Sequence, residues 1–227
     1  MEHEARHSYI SSGNTKLGHI PSYSVSPDRS CRPTEYCASI CYDRKAARWP
    51  TVKKSRETNW EISQSPSFVP DTITAIGNLK RRPKISHTHF RLFEGGDFSS
   101  RLNALRWAEI MRSSDYNFLC YSRSLPYHIA GCSTWQPHNL SLYLSIDPSS
   151  DLESLAKDIG KPWLTQRPHF AATAPSTGQA ITLIHKMRSL LGSSEPVKVK
   201  VCRLGSVCQS CLYCWAQKGG DVVFPNH

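Results

Sequence analysis

Residues 23–42 read YSVSPDRSCRPTEYCASICY, a short strand candidate followed at once by three closely spaced cysteines. The Pro-Asp pair at 27–28 predicts the end of the strand, which leaves the cysteines in the loop that follows it. They are Cys31, Cys37 and Cys41, with the spacing C-x5-C-x3-C. The segment therefore predicts a strand that leads directly into a loop of three thiols.

Strand candidates alternate with helical segments along the rest of the chain. Further strands are predicted at 87–93, 116–122, 140–147, 169–174 and 197–202. Helices are predicted at 43–63 with an interruption at Pro50, at 68–80, from Ser100 onward, at 151–159 and at 179–191. In the helix after Ser100, an i, i+3 stripe of Leu102, Leu105, Ala108 and Met111 predicts the buried face.

This alternation predicts the α/β class, with a parallel sheet and helical crossovers. The six units fit either an open doubly wound sheet or a partial barrel. No linker or repeat divides the chain, so we predict a single domain over residues 1–227. It has a core at 13–201 and a cysteine-rich C-terminal tail at 202–216.

Four cysteines of the tail supply a complete set of ligands for one metal centre. They are Cys202, Cys208, Cys211 and Cys214. Four thiolates suit either a tetrahedral zinc ion or a [4Fe-4S] cluster. The C-x2-C-x2-C spacing of the last three is that of bacterial ferredoxins, which favours iron–sulfur, with zinc as the alternative metal.

The first group offers only three cysteines, and three thiolates on a four-iron cluster leave one iron free to bind a substrate or cofactor. The alternative is that His7, His19 or a tail cysteine closes the group into an inert four-ligand site. Of the two remaining cysteines, Cys120 lies in an apolar run and is interpreted as a small buried hydrophobe. Cys132 has no evident partner.

Composition excludes several classes of protein. The 227 residues include 39% hydrophobic and 10% aromatic side chains, too many for a disordered chain. No apolar run is long enough to span a membrane, and the first residues lack the apolar stretch of a secretory signal. We therefore expect a cytoplasmic protein in a reducing compartment, where clustered thiols indicate metal binding rather than disulfides.

Positive charge is concentrated just after the first cysteine group. With 28 Lys+Arg against 18 Asp+Glu, the formal net charge is +10. Six of the cations, Arg44, Lys45, Arg48, Lys53, Lys54 and Arg56, surround Trp49 and Trp60. Basic residues interleaved with aromatics suit a phosphate backbone and stacked bases, so we predict nucleic acid or another anionic partner. The alternative is a solvated helix face.

Four motifs follow successive predicted strands in a meaningful order. The three-cysteine loop follows the first strand, Gly95-Gly96-Asp97 the second and Ser122-Arg123-Ser124 the third, while Ser145-Ile146-Asp147 ends the fourth. This order resembles the partial (β/α)6 TIM-like barrel of radical S-adenosylmethionine enzymes. Two departures from that pattern are the spacing, C-x5-C-x3-C in place of C-x3-C-x2-C, and Asp97-Phe98 in place of Glu-Pro.

The strings GNTKLG, CASICYDRKAARWP, GGDFSS, CYSRS and CQSCLYCW resemble the phage and plasmid family called gene product 88. The similarity extends from Gly13 to Trp215. It implies that the chain is related to this family, and it implies no particular activity. A phage-encoded member of that family would work in the cytoplasm of the host cell.

The radical-enzyme resemblance implies roles for particular residues. The first cysteine group would bind the open [4Fe-4S] cluster, with the tail cysteines as an auxiliary cluster. Around S-adenosylmethionine, Gly95 and Gly96 would let the protein backbone approach the methionine part. Asp97 would accept a hydrogen bond from the methionine ammonium, and Ser122 and Arg123 would bind the methionine carboxylate. Ser145 and Asp147 would reach the ribose hydroxyls. Such an enzyme needs an electron donor. The alternative function is a non-catalytic iron–sulfur or zinc protein that binds nucleic acid through its basic surface.

Overall fold

The computed structural model describes residues 9–129, 135–159, 168–193, 198–203, 205–216 and 220–225. Within them, seven strands form one sheet in which all neighbouring strands are parallel. They are β1 (Ser22–Tyr23), β2 (His89–Leu92), β3 (Asn117–Ser122), β4 (Leu140–Ile146), β5 (His169–Ala174), β6 (Val199–Val201) and β7 (Asp221–Pro225). The predicted α/β class is confirmed, and the sheet is open rather than closed into a barrel.

The helices follow the predicted alternation closely. They are α1 (Pro27–Ser30), α2 (Glu35–Ile40), α3 (Tyr42–Ala46), α4 (Pro50–Gln64), α5 (Phe68–Leu79), α6 (Arg101–Arg112), α7 (Leu125–Ile129), α8 (Leu152–Ile159), α9 (Thr177–Leu190) and α10 (Cys208–Cys211). Pro50 separates α3 from α4 and occupies the first turn of α4, where its missing N–H costs nothing. None of the described helices combines the length and apolarity that a membrane span requires.

The order of the strands, β1-β2-β3-β4-β5-β7-β6, decides between the two predicted architectures. The first five strands follow one another across the sheet, so right-handed crossovers place their helices on the same face. Alternate strand residues such as Phe118, Cys120 and Phe170 join the helix side chains in one large apolar core. β1 to β5 are therefore wound in one direction, and the direction reverses once, between β6 and β7, whose connection crosses the other face.

The other face of the sheet is covered by the segment predicted to be a tail. Its apolar cluster contains Leu119, Tyr143 and Val222 from the sheet and Trp215 from the cysteine-rich segment. Because β7 pairs between β5 and β6, residues 202–216 connect two strands instead of ending the domain. The prediction of a terminal tail is therefore wrong, since the buried valines of β7 continue the sheet beyond it. We call residues 202–216 the cysteine crossover.

The buried face of α6 also differs from its prediction. Leu102 is 58% exposed and Leu105 is 40% exposed, whereas Ala104 and Trp107 are fully buried. A strict three-residue spacing drifts around a helix of 3.6 residues per turn, so the predicted stripe runs off the buried face. Ala108 and Met111 do lie on that face, beside Ala104 and Trp107.

Candidate metal and cofactor site

Short helical turns hold the three cysteines of the first group beyond the carboxyl end of β1. Cys31 follows α1, Cys37 lies in α2, and Cys41 lies between α2 and α3. The Thr34 hydroxyl accepts a 3.1 Å hydrogen bond from the Cys37 amide and so caps α2. All three thiols are half-buried.

Burial and neighbouring charges shift the pKa of two of these thiols. Burial raises the pKa of Cys31, and so do Asp97 and the other two cysteines of the group. Burial also raises the pKa of Cys37, whereas the Arg123 guanidinium opposes that change by charge and by a hydrogen bond. Cys37 therefore has a cation beside it.

Asp97 joins the loop after β2 to the turn after β3. Its Oδ1 accepts from the Ser122 hydroxyl at 2.6 Å and from the Phe98 amide at 2.7 Å. Its Oδ2 accepts from the amides of Arg123 and Ser124 at 2.8 and 2.9 Å. Each oxygen therefore has two donors, which matches the usual acceptor capacity of a carboxylate. These contacts give Asp97 a positioning role, and its expected contact with the methionine ammonium stays a prediction.

Arg123 and Asp147 join the turns after β3 and β4. The Arg123 guanidinium lies 2.8 Å from Asp147 Oδ2 and donates to the Ser150 hydroxyl at 3.0 Å. Asp147 is 1% exposed and also accepts a 2.6 Å hydrogen bond from the Thr34 hydroxyl. The structure therefore brings all four predicted motifs into one network, since Asp97 of Gly95-Gly96-Asp97 bonds to the turn that carries Arg123.

An open cavity of about 280 Å³ lies beside this network. It is lined by Arg32, Pro33, Thr34, Ser122, Arg123, Pro126, Tyr127, Leu144, Ser145, Ser150, Asp151 and Leu155. Three of the seven predicted cofactor residues, Ser122, Arg123 and Ser145, thus line one cavity next to the cysteine loop. The other four, Gly95, Gly96, Asp97 and Asp147, lie outside its lining. The sequence analysis missed Tyr127, whose exposed ring lies 5.6 Å from the Arg32 guanidinium.

Close packing explains why both glycines after β2 lack a side chain. A Cβ on Gly95 would collide with the buried ion pair of Asp43 and Arg56. Gly96 has a φ of +84°, and a Cβ there would collide with Val25 and with the Ser30 hydroxyl. The two glycines therefore let the loop after β2 lie directly against the cysteine loop. Their expected contact with the methionine of S-adenosylmethionine stays a prediction.

The cysteine crossover packs against the chain's first described residues and against the sheet. The Cys208 amide donates to the Lys16 carbonyl at 2.8 Å, and the His19 amide donates to the Gln209 side chain at 2.8 Å. The Trp215 indole donates to the Asn117 carbonyl at 3.1 Å. His19 therefore adjoins the crossover, while His7 and Cys132 lie outside the described residues.

Comparison with known proteins places this chain in a family. The family model described as gene product 88 matches residues 3–217. This chain belongs to the gene product 88 family. No curated protein and no solved structure matches it significantly.

The segment that matches gene product 88 contains both cysteine groups and ends before β7 begins. Among the described residues, no three His, Cys, Asp or Glu side chains have the geometry of a metal site. The sulfurs within each group nevertheless act on one another electrostatically, as Cys214 does with Cys202 and Cys208. The binding of a metal by these thiolates stays a prediction that rests on donor type and spacing.

The basic segment of this gene product 88 protein forms α3 and the first part of α4. Two of its six cations are engaged, since Arg44 pairs with Asp28 at 2.9 Å and Arg56 pairs with Asp43. The other four, Lys45, Arg48, Lys53 and Lys54, are exposed. Trp49 between them is 70% exposed, which gives the surface a flat apolar ring surrounded by positive charge.

Proposed function

We propose that this protein is a radical S-adenosylmethionine-like enzyme whose first cysteine group binds a [4Fe-4S] cluster with one open iron. The observation that supports this most directly is the cavity beside the cysteine loop. It collects Arg123, Ser122 and Ser145, which come from two different strand ends, next to the residues between Cys31 and Cys37. Barrel enzymes build their sites at this edge of the sheet.

The strand order supports the finer architecture that belongs to this proposal, a partial (β/α)6 barrel. A singly wound parallel sheet with helices on one face is the layout from which such barrels are built. β1 to β5 follow that layout without a reversal. In the proposal, the cysteine crossover occupies the face that would be the barrel interior and binds the auxiliary cluster.

The residues that line the cavity would hold the cofactor by complementary chemistry. The Arg123 guanidinium has five N–H donors, so it can bind a carboxylate while it retains Asp147 and Ser150. The Ser145 hydroxyl would bond to the ribose, and the exposed Tyr127 ring would stack on the adenine. When bound, the cluster would supply the electron that cleaves a carbon–sulfur bond of S-adenosylmethionine. Asp97 and Asp147 would hold the surrounding turns in place.

Anaerobic reconstitution with iron and sulfide tests this proposal. We expect about eight irons per chain, which corresponds to two four-iron clusters, and release of 5′-deoxyadenosine after dithionite and S-adenosylmethionine are added. The Cys37→Ser variant should lose 5′-deoxyadenosine release and about half of the iron. Cys120→Ala is the matched control, because Cys120 is fully buried in the apolar core. Full iron loading without 5′-deoxyadenosine would contradict the enzyme.

The second candidate function is a non-catalytic iron–sulfur or zinc protein that binds nucleic acid. The exposed Trp49 among four exposed cations favours it, since bases stack on such a ring while phosphates bind the charges. Single-stranded DNA should then quench Trp49 fluorescence, with an affinity that falls steeply as salt rises. Trp49→Ala and Lys53→Gln should weaken binding, whereas Lys186→Gln on the distant helix α9 should not. Colourless protein with stoichiometric zinc would favour this candidate over the enzyme.

A further inference from the structure

Two lysines lie against the cysteines of the crossover. The Lys16 ammonium lies 3.5 Å from Cys202 Sγ and is fixed by a 2.9 Å hydrogen bond to the Ser206 carbonyl. The Lys200 ammonium lies 3.2 Å from Cys211 Sγ and 4.5 Å from the centre of the Tyr213 ring. Both amines are therefore held in place at the sulfurs by contacts of their own.

A third cation, Arg91, lies on the sheet beside the apolar cluster that the crossover covers. It is only 8% exposed, and its guanidinium lies 4.0 Å from the centre of the Tyr121 ring. Tyr121 packs against the same apolar cluster as Cys202, Cys208 and Cys214. Within the part of the chain that the structure describes, Arg91 Nη1 has no hydrogen-bond partner. A buried cation with an unused donor is costly unless an anion neutralises it.

Four thiolates around a zinc ion, or around an oxidised four-iron cluster, carry two net negative charges. Such a dianion is the ligand that fits a half-buried site bordered by three cations.

We propose that Lys16, Arg91 and Lys200 form a cationic shell that stabilises an anionic metal–tetrathiolate complex. Its ligands are Cys202, Cys208, Cys211 and Cys214. The inference rests on the proposed function only in taking these four cysteines as metal ligands, and it requires neither the first group nor S-adenosylmethionine. The three cations act as positioning residues that hold the sulfurs and balance their charge.

Cobalt(II) titration in competition with a chelator tests the shell. The first cysteine group is replaced by serine throughout, so that sulfur-to-cobalt absorbance reports on the crossover alone. Lys16→Gln, Arg91→Met and Lys200→Gln should each weaken cobalt binding about tenfold, the lower end of the usual effect of residues that support metal ligands. Lys186→Gln removes the same charge from α9, on the opposite face of the sheet, and should leave the affinity unchanged. Lys16→Arg should restore most of the affinity.

The outcomes separate the two proposals. If the parent chain binds cobalt but all three variants bind equally well, the cationic shell is wrong and the metal site stands. If the parent chain shows no sulfur-to-cobalt absorbance, the crossover is not a tetrathiolate site, and the auxiliary cluster is refuted together with the shell. Far-ultraviolet circular dichroism of each variant distinguishes lost affinity from lost folding. Where a lysine variant unfolds, the cobalt titration is replaced by a measurement of how much zinc the Lys→Arg chain at the same position retains.

Discussion

The Thr34 hydroxyl donates a 2.6 Å hydrogen bond to the Asp147 carboxylate, which ties the first cysteine loop to the carboxyl end of β4. The same hydroxyl oxygen accepts from the Cys37 amide and so begins the helix that carries this cysteine. One side chain therefore sets both the start of α2 and its position on the sheet. The geometry of the loop beside the cavity depends on it.

Replacing Thr34 by valine keeps the shape of the side chain and removes both hydrogen bonds. We expect the free energy of unfolding of the reduced, metal-free chain to fall by about 1–2 kcal/mol, the combined effect of a lost cap and a carboxylate left with one donor fewer. Urea unfolding measures this change. Thr74→Val is the control, because the Thr74 hydroxyl donates to the Pro70 carbonyl one turn earlier in the same helix, α5. Equal losses in the two variants would show that the tie to Asp147 contributes nothing.

Alanine at Gly95 should destabilise the protein strongly. The added methyl group would occupy the place of the Arg56 guanidinium and the Asp43 carboxylate, both of which are largely buried. Separating a buried ion pair costs about 3–5 kcal/mol, so we expect a loss near that range on urea unfolding.

Gly77→Ala is the matched control for this substitution. A Cβ at this position in α5 would meet no atom within 4 Å. Alanine should therefore stabilise the helix by about 0.5–1 kcal/mol, because it reduces the entropy of the unfolded chain. A mild effect of Gly95→Ala would mean that the loop can move away from the ion pair, and the tight packing of the two loops would then not be required.

The sequence was sufficient to predict the strands that carry the site. Hydrophobic runs with clear ends placed β3, β4 and β5 within one residue of their observed positions at both ends. The order of motifs after these strands also predicted which turns would meet, since the carboxyl ends of parallel strands share one edge of the sheet. The cysteine loop, Arg123 and Asp147 do meet at this edge.

The position of β7 was not predictable in the same way. Asp221–Pro225 is short, follows a glycine pair and comes after a cysteine-rich segment whose helix α10 has only four residues, so nothing local marks it as part of the sheet. Its pairing with β5 and β6 depends on contacts between distant parts of the chain. For this reason the sequence predicts a terminal tail where the structure has the cysteine crossover.

The contributions of Thr34, Lys16 and Lys200 were also invisible in the sequence. A threonine or lysine in a polar segment carries no pattern that distinguishes a tertiary contact from an exposed side chain. Arg91 did leave a signal, because it is a charged residue in the middle of the apolar run HFRLF. A charge at such a position indicates either an edge strand or a buried partner.

Stability should fall in mild acid partly because of His128. Burial lowers the pKa of this histidine in the folded protein, and the neighbouring Arg32 lowers it further. The unfolded chain therefore binds the proton more readily than the folded protein does. The stability that neutral His128 contributes is complete above its unfolded pKa of about 6.5 and is lost as the pH falls below that value. His128→Gln should lose less stability than the parent chain between pH 7.5 and 5. If His128→Gln and the control His185→Gln, at an exposed position of α9, have the same pH profile, His128 is not the cause.

The fork between Arg188 and Asp221 fixes the last strand to helix α9. The Arg188 Nε and Nη2 atoms lie 3.0 and 2.7 Å from the two carboxylate oxygens, and Asp221 is fully buried. Asp221 Oδ1 also accepts from the Phe170 amide at 2.7 Å. β7 is therefore held from two sides, and the cysteine crossover ends at this strand.

Arg188→Met should lower the free energy of unfolding by about 3–5 kcal/mol, because it leaves a buried carboxylate without its counter-charge. Adding Asp221→Asn to this variant should recover part of the loss, since a neutral amide still accepts from the Phe170 amide and needs no cation. The free energy of unfolding of Arg188→Lys should lie between those of the parent chain and Arg188→Met, because lysine keeps the charge but not the bidentate geometry. Urea unfolding of the parent chain, Arg188→Met, Asp221→Asn and the double variant gives the coupling energy, and iodoacetamide labelling of Cys214 reports whether the crossover opens with β7. Simple additivity of the two single changes would show that the fork does not act as a unit.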